Sequence, residues 1–88
     1  MVADGKDPIT RLRERGNDLH TRKEFTNAIV AYGQAIDLLR EMKIPERDRA
    51  MLYSNRAGSL IETKQWDKAM VDAQQALKCD PTFLRVRS

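Results

Sequence analysis

Apolar residues recur every three or four positions along most of this 88-residue chain, in four separate stretches. This spacing places them along one side of an α-helix. The stretches cover residues 9–22, 24–42, 52–61 and 66–77. Between them we find no alternation of Val, Ile and Thr with polar residues, which would be typical of a β-strand. The pattern therefore predicts an all-α protein.

Two Asp-Pro pairs mark predicted helix starts. Asp7 precedes Pro8, and an aspartate can cap a helix whose first residue is a proline that has no amide to satisfy. The same pair recurs as Asp80 and Pro81, so we expect a fifth helix to begin at Pro81. Residues 1–6 are predicted to form a disordered leader.

The four helical stretches form two copies of one pattern, separated by 41 residues. Small and large apolar residues in the first copy have counterparts in the second, with a turn around Lys64. The first copy contains Leu12, Gly16, Leu19, Phe25, Ala28, Tyr32, Ala35 and Ile36, and the second Tyr53, Ala57, Leu60, Trp66, Ala69, Ala73, Ala76 and Leu77. Helices pack closely where small side chains face large ones, so the pattern predicts helix hairpins. Fixed-period repeats of this kind stack into solenoids, whose surfaces bind other molecules.

The order of these residues resembles the tetratricopeptide repeat, a unit of 34 residues. Residues 9–42 match one unit and residues 50–83 a second, with residues 43–49 as a connection. From the residues alone, helix could already begin at Glu46. The resemblance implies an all-α superhelix, with residues 84–88 as the start of a truncated third repeat.

Motifs in the first helix of each unit resemble those of cochaperones such as Hop. The resemblance implies a groove that grips the C-terminal Glu-Glu-Val-Asp of heat-shock protein 90 or 70 through a carboxylate clamp. Matched position by position, the clamp falls on Arg13 and Asn17 in the first repeat, Asn55 in the second and Arg85 in the third. Its last arginine would follow Ser88. Glu62 and His20 match positions that often line the peptide groove.

These residue types suit a ligand with carboxylates. Arginine offers a planar set of charged donors, and asparagine offers an amide donor that adds no charge. Asn17 and Asn55 lie inside predicted helices, where each costs about half a kcal/mol relative to alanine, so a compensating role is expected. We interpret His20 as a residue of the groove edge or the helix end, since no nucleophile and carboxylate accompany it.

Composition excludes several classes of chemistry. The single cysteine, Cys79, rules out an internal disulfide, and with one histidine there is no Cys/His zinc site. The four glycines are too scattered for a phosphate-binding loop. We therefore expect no metal, no cofactor and no enzymatic activity.

Charge and hydropathy limit the partners. The formal charge of +3 is spread among acidic residues rather than gathered in a basic stripe, which argues against nucleic acid and fits an acidic peptide. No apolar run reaches the roughly 20 residues that cross a bilayer, so no membrane contact is expected. A cytoplasmic location is predicted, with the nucleus as an alternative.

Two functional hypotheses follow. The first is a cochaperone-type adaptor that binds the chaperone peptide in its concave groove. The second is a tetratricopeptide scaffold within a larger protein, which binds an unrelated partner without a clamp. The residue after Ser88 in the full gene product separates them, since arginine or lysine there favours the clamp.

A last expectation concerns the end of the solenoid. We interpret Trp66 and the methionines as core residues. The helix predicted from Pro81 has only about two turns, too short to be stable alone. The apolar side of the helices that hold Leu60 and Met70 should then be only partly covered, and self-association is expected.

Overall fold

Four α-helices account for most of the described chain. The structure is a computed structural model, and it describes residues 6–82. The helices are α1 (Pro8–Thr21), α2 (Phe25–Asp37), α3 (Glu46–Glu62) and α4 (Trp66–Cys79), and a short 3-10 helix, Leu38–Arg40, follows α2. Residues 6–82 contain no strand. The prediction of an all-α fold is confirmed.

Each helix packs against the next along the chain, so α1 contacts α2, α2 contacts α3 and α3 contacts α4. Helices that neighbour one another in sequence are thus neighbours in space. This is the architecture of a solenoid built from two helix pairs, as the repeat predicted.

The turns inside the two pairs have the same geometry. Lys23 and Lys64, 41 positions apart, both adopt the left-handed conformation, with φ of 67° and 62°. The amide of the residue after each lysine donates to the carbonyl of Leu19 or Leu60, respectively. These bonds satisfy carbonyls that the ends of α1 and α3 would otherwise leave unpaired. The predicted turn around Lys64 is confirmed.

The predicted cap of the first helix is also present. The Thr10 amide donates to Oδ1 of Asp7 over 2.7 Å, with Pro8 as the first residue of α1. This backbone hydrogen bond lowers the pKa of Asp7, because it favours the charged carboxylate.

Some predictions fall wholly or partly outside the described residues. Of the leader predicted over residues 1–6, only Lys6 is described, and its ammonium forms an ion pair with a glutamate of α1. Of the predicted fifth helix, Pro81 and Thr82 are described, and they form a turn. Residues 83–88 lie beyond the described part.

The second helix is shorter than predicted. We expected helix to about Met42, but α2 ends at Asp37 and the chain tightens into the 3-10 helix. Leu38, Leu39 and Met42 lie three, four and seven residues after Ala35, and with Ile44 they pack against the core of Ile9, Ala35 and Leu52. The apolar spacing of a helix thus continues to Met42, although the α-helix itself ends at Asp37.

The connection between the repeats is also shorter than residues 43–49. Helix α3 begins at Glu46, directly after Pro45, so the alternative that placed a helix start at Glu46 is confirmed. Proline suits the position before a helix because its missing amide leaves no donor unpaired.

Trp66 and Met70 are not core residues, contrary to our interpretation, because they are 59% and 62% exposed. The counterpart of Met70 in the first repeat, 41 positions earlier, is Ile29, which packs against the core of Ala57, Leu60 and Ala69. In the described part of the chain α4 packs mainly against α3, so its other apolar side faces outward. The separate expectation that the apolar sides of the helices holding Leu60 and Met70 would be only partly covered holds for Met70 on α4 but not for Leu60 on α3, which is 4% exposed.

The close contact of α1 and α2 at Gly16 depends on the absence of a side chain there. The ring of Tyr32 on α2 is 2% exposed and lies directly beneath Gly16 of α1. A Cβ atom added at Gly16 would come within 2.5 Å of Tyr32 Cε1. The prediction that small residues face large ones is confirmed here at atomic distance.

We predict that Gly16→Ala lowers the free energy of unfolding by about 1–3 kcal/mol, because a buried ring cannot move away from the new methyl group. Gly33→Ala is the matched control, since a Cβ atom there would meet Nη1 of Arg56 at 3.5 Å, an ordinary van der Waals distance. There, the helix propensity of alanine should raise stability by up to about 1 kcal/mol. Urea unfolding of both variants measures the difference. Equal effects of the two substitutions would contradict this account of the helix contact.

Candidate functional site

Two of the predicted clamp residues meet across the repeat boundary. Asn17 lies on α1 and Asn55 on α3, and the Nδ2 of Asn55 donates to Oδ1 of Asn17 over 3.2 Å. The two asparagines do not occupy equivalent repeat positions, since the counterpart of Asn17 is Gly58. Both repeats therefore contribute different residues to one polar site.

A buried tyrosine from the second helix also reaches this site. The hydroxyl of Tyr32 donates to the same Oδ1 of Asn17 over 2.5 Å. Burial raises the pKa of Tyr32 to about 12, because the phenolate would be poorly solvated there. The sequence analysis treated Tyr32 as a core residue only. The sequence did offer one indication of this role, because a tyrosine at a buried position needs a hydrogen-bond partner for its hydroxyl.

His20 lies at the edge of the same site, near the end of α1. Its Nδ1 is 2.8 Å from Oγ of Ser59, a residue with no exposed surface. The ring of Phe25 meets the imidazole edge-on, with the ring centres 4.9 Å apart. These contacts fix the plane of the imidazole in the last turn of α1, so its place at the helix end is confirmed, and a role at the groove edge stays a prediction.

Together these side chains surround a polar cleft with a volume of about 310 Å³. It unites three predicted residues with four that the sequence analysis did not identify as site residues. The lining consists of Asn17, His20, Thr21, Tyr32, Ser54, Asn55 and Gly58. We call this the asparagine cleft.

The remaining predicted site residues do not line the asparagine cleft. Arg13 is half-buried on α1, one turn before Asn17, and its charge contributes to the lowered pKa of Asp7. Glu62 is the exposed last residue of α3, two turns beyond Asn55. Arg85 lies outside the described residues. The clamp roles of all three stay predictions.

Comparison with known proteins gives the family context. Human tetratricopeptide repeat protein 12 is 35% identical over 78% of this chain, and the small glutamine-rich tetratricopeptide repeat-containing protein 2 of Mycosarcoma maydis is 37% identical over 83%. Mouse DnaJ homolog subfamily C member 7 is 30% identical over 93%. The relatives support a tetratricopeptide-repeat domain. The chain spans only 9%, 19% and 15% of the lengths of these three proteins.

No family profile and no solved structure matches the chain. The assignment to tetratricopeptide repeats therefore depends on these relatives and on the helix-pair architecture.

A second cleft, of about 370 Å³, lies where α2, α3 and α4 meet. Within it, Arg56 donates from Nε and Nη2 to the two carboxylate oxygens of Asp72, over 2.7 and 2.8 Å. Asp72 is 2% exposed, and its hydrogen bonds raise the pKa of Arg56. Because the two charges satisfy each other, this cleft offers less to a charged ligand than the asparagine cleft does.

No group of three or more His, Cys, Asp or Glu residues within residues 6–82 is arranged to hold a metal ion. No helix in this part of the chain is both long and apolar enough to cross a membrane.

The raised pKa of Tyr32 has a consequence for stability at high pH. A tyrosine in the unfolded chain loses its proton near pH 10, whereas Tyr32 in the folded state keeps it to about pH 12. Between these values the unfolded state binds fewer protons, so stability falls as pH rises. We expect this residue to account for a loss of about 2–3 kcal/mol.

Urea unfolding at pH 9 and pH 11.5 measures this loss. The Tyr32→Phe variant is the control, because it lacks the titrating group while keeping the ring. The wild-type protein should lose more stability than the variant over this interval, and parallel losses would contradict the assignment.

Proposed function

We propose that this chain is a non-enzymatic adaptor that binds the acidic C-terminal peptide of heat-shock protein 90 or 70. The peptide ends in Glu-Glu-Val-Asp, and its terminal carboxylates would occupy the groove along α1 and α3. The observation that carries the proposal is the contact between Asn17 and Asn55, which brings amide donors from both repeats into one cleft.

The chemistry of the cleft favours an anionic ligand. Within residues 6–82, the Nδ2 of Asn17 donates to no protein group, and Asn55 uses one of its two amide protons on Asn17. Amide protons are therefore available for a carboxylate. Arg13 lies one turn before Asn17 on α1, and in this proposal it supplies positive charge for the ligand. Hydrogen bonds between such donors and a carboxylate are stronger than neutral ones.

The relatives give this proposal a context. They are named as tetratricopeptide-repeat proteins, and one is named as a DnaJ homologue, which agrees with a chaperone partner. A cytoplasmic or nuclear location remains a prediction, based on the single cysteine, which suits a reducing compartment.

The alternative is a tetratricopeptide scaffold of a larger protein with an unrelated partner. It is favoured by the exposed side of α4, where Trp66 and Met70 could support a further helix. Binding of a Glu-Glu-Val-Asp peptide discriminates between the two functions, because the scaffold has no clamp for its terminal carboxylates.

The proposal predicts that Asn55→Ala and Asn17→Ala each weaken binding of a labelled Glu-Glu-Val-Asp peptide by roughly 10- to 100-fold, the value of a hydrogen bond to a charged group. Fluorescence anisotropy measures the affinity, and an amidated peptide tests the role of the terminal carboxylate. Asn55→Ala is the cleaner variant, since Asn17→Ala also leaves the Tyr32 hydroxyl without its acceptor.

Asn27→Ala is the matched control. Asn27 lies on α2 and is exposed, and its amide donates only to Glu24. Its replacement should leave peptide affinity unchanged. If Asn17→Ala and Asn55→Ala also bind with wild-type affinity, the clamp is absent and the scaffold function gains support.

We also propose that the chain self-associates through the exposed side of α4, because contiguous apolar surface is costly in water. Sedimentation velocity over a hundredfold concentration range should show a rising mass that Met70→Lys abolishes. Val30→Lys, at an equally exposed apolar residue of α2, should not change the association. A wild-type protein that stays monomeric over the whole concentration range would refute the proposed self-association.

A further inference from the structure

One oxygen atom in the asparagine cleft, Oδ1 of Asn17, accepts two hydrogen bonds from protein side chains. Oδ1 of Asn17 accepts a hydrogen bond from the Tyr32 hydroxyl over 2.5 Å and another from the Asn55 amide over 3.2 Å. A carbonyl oxygen has two lone pairs, so both are in use. The acceptor edge of Asn17 is therefore occupied by the protein itself.

This arrangement decides which edge of Asn17 a ligand meets. An asparagine side chain carries an acceptor on one edge and two donors on the other, and a free one can rotate to present either. With Oδ1 held by two donors, the Nδ2 of Asn17 is the edge that remains for a ligand. Such a site can donate to both oxygens of a carboxylate, whereas a terminal amide offers one acceptor and its NH2 group would face donors.

Of the two donors, Tyr32 is the rigid one. Its ring is 2% exposed and packed beneath Gly16, so the hydroxyl cannot swing away from Asn17. Asn55, by contrast, is a half-exposed side chain that could itself rotate. At neutral pH the Tyr32 hydroxyl keeps its proton, since burial raises its pKa to about 12. It is thus a permanent donor.

We propose that Tyr32 is a positioning residue that makes the asparagine cleft selective for a free C-terminal carboxylate over a C-terminal amide. It acts by holding Asn17 in the orientation that can only donate. The inference depends on the proposed peptide binding. It adds a role for a buried residue of α2, which is not one of the two helices, α1 and α3, along which the peptide groove is proposed.

The test compares two peptides that end in Glu-Glu-Val-Asp, one with a free carboxylate and one amidated. Tyr32→Phe keeps the ring and removes only the hydroxyl, so Asn17 gains the freedom to turn its oxygen toward the ligand. We expect the free-acid peptide to bind about three- to tenfold more weakly to this variant, the value of one neutral hydrogen bond. The amidated peptide should change by less than about twofold.

Tyr53→Phe is the matched control, because Tyr53 is the other tyrosine of the chain and lies outside the asparagine cleft. It should preserve the affinity ratio of the two peptides. A general loss of structure would weaken both peptides alike, so the ratio separates positioning from damage to the fold.

A second variant tests the same idea without touching the core. In Asn17→Asp a carboxylate oxygen can still accept from Tyr32 and Asn55, but the donor edge becomes an acceptor. The free-acid peptide should lose more affinity than the amidated one. Free-acid binding at wild-type strength in this variant would overturn the inference.

The outcomes for the two proposals differ. If the wild-type protein binds both peptides equally, the proposed carboxylate recognition itself fails. If the wild-type protein prefers the free acid and Tyr32→Phe keeps that preference in full, the recognition stands and the role of Tyr32 is refuted.

Discussion

The fit of the Tyr32 ring beneath Gly16 is the contact on which the rest of this structure depends. It sets how closely α1 and α2 approach, because any side chain at Gly16 would overlap the ring. The hydroxyl of the same ring donates to Asn17, the residue after Gly16 on α1, and Asn17 in turn accepts from Asn55 of the next repeat. The packing contact within the first helix pair therefore also positions the polar side chains between the two pairs.

The repeat itself made most of the fold predictable. Helices of known period, a capping Asp7 and equivalent turns at Lys23 and Lys64 are local features, and local features can be read from a sequence. The exposure of Trp66 and Met70 could not be read in this way. Their apolar character predicts burial, but burial also requires a neighbouring helix, and the first repeat has that neighbour where the described part of the second does not.

The site was predictable only in part, for a related reason. Asn17, Asn55 and His20 were found through a resemblance, and the structure places them around one cleft. Tyr32 and Ser59 were missed because the role of a buried polar atom depends on its hydrogen-bond partner, and these partners are distant in sequence. Asn17 lies 15 residues from Tyr32, and His20 lies 39 residues from Ser59. The differences between the repeats matter as much as their similarity. Gly58 replaces Asn17 at the equivalent position, and the ion pair of Arg56 and Asp72 has Arg15 and Ala31 as its counterparts.

The central claim is that amide protons of Asn17 and Asn55 receive a terminal carboxylate. Nuclear magnetic resonance of the side-chain amides tests it most directly, by titrating the protein with the free-acid and the amidated Glu-Glu-Val-Asp peptides. The account predicts that the Nδ2 proton resonances of both asparagines move downfield with the free acid and stay nearly unchanged with the amide, while those of Asn27 do not respond. Resonances of Asn17 and Asn55 that remain in place while the peptide binds would contradict it.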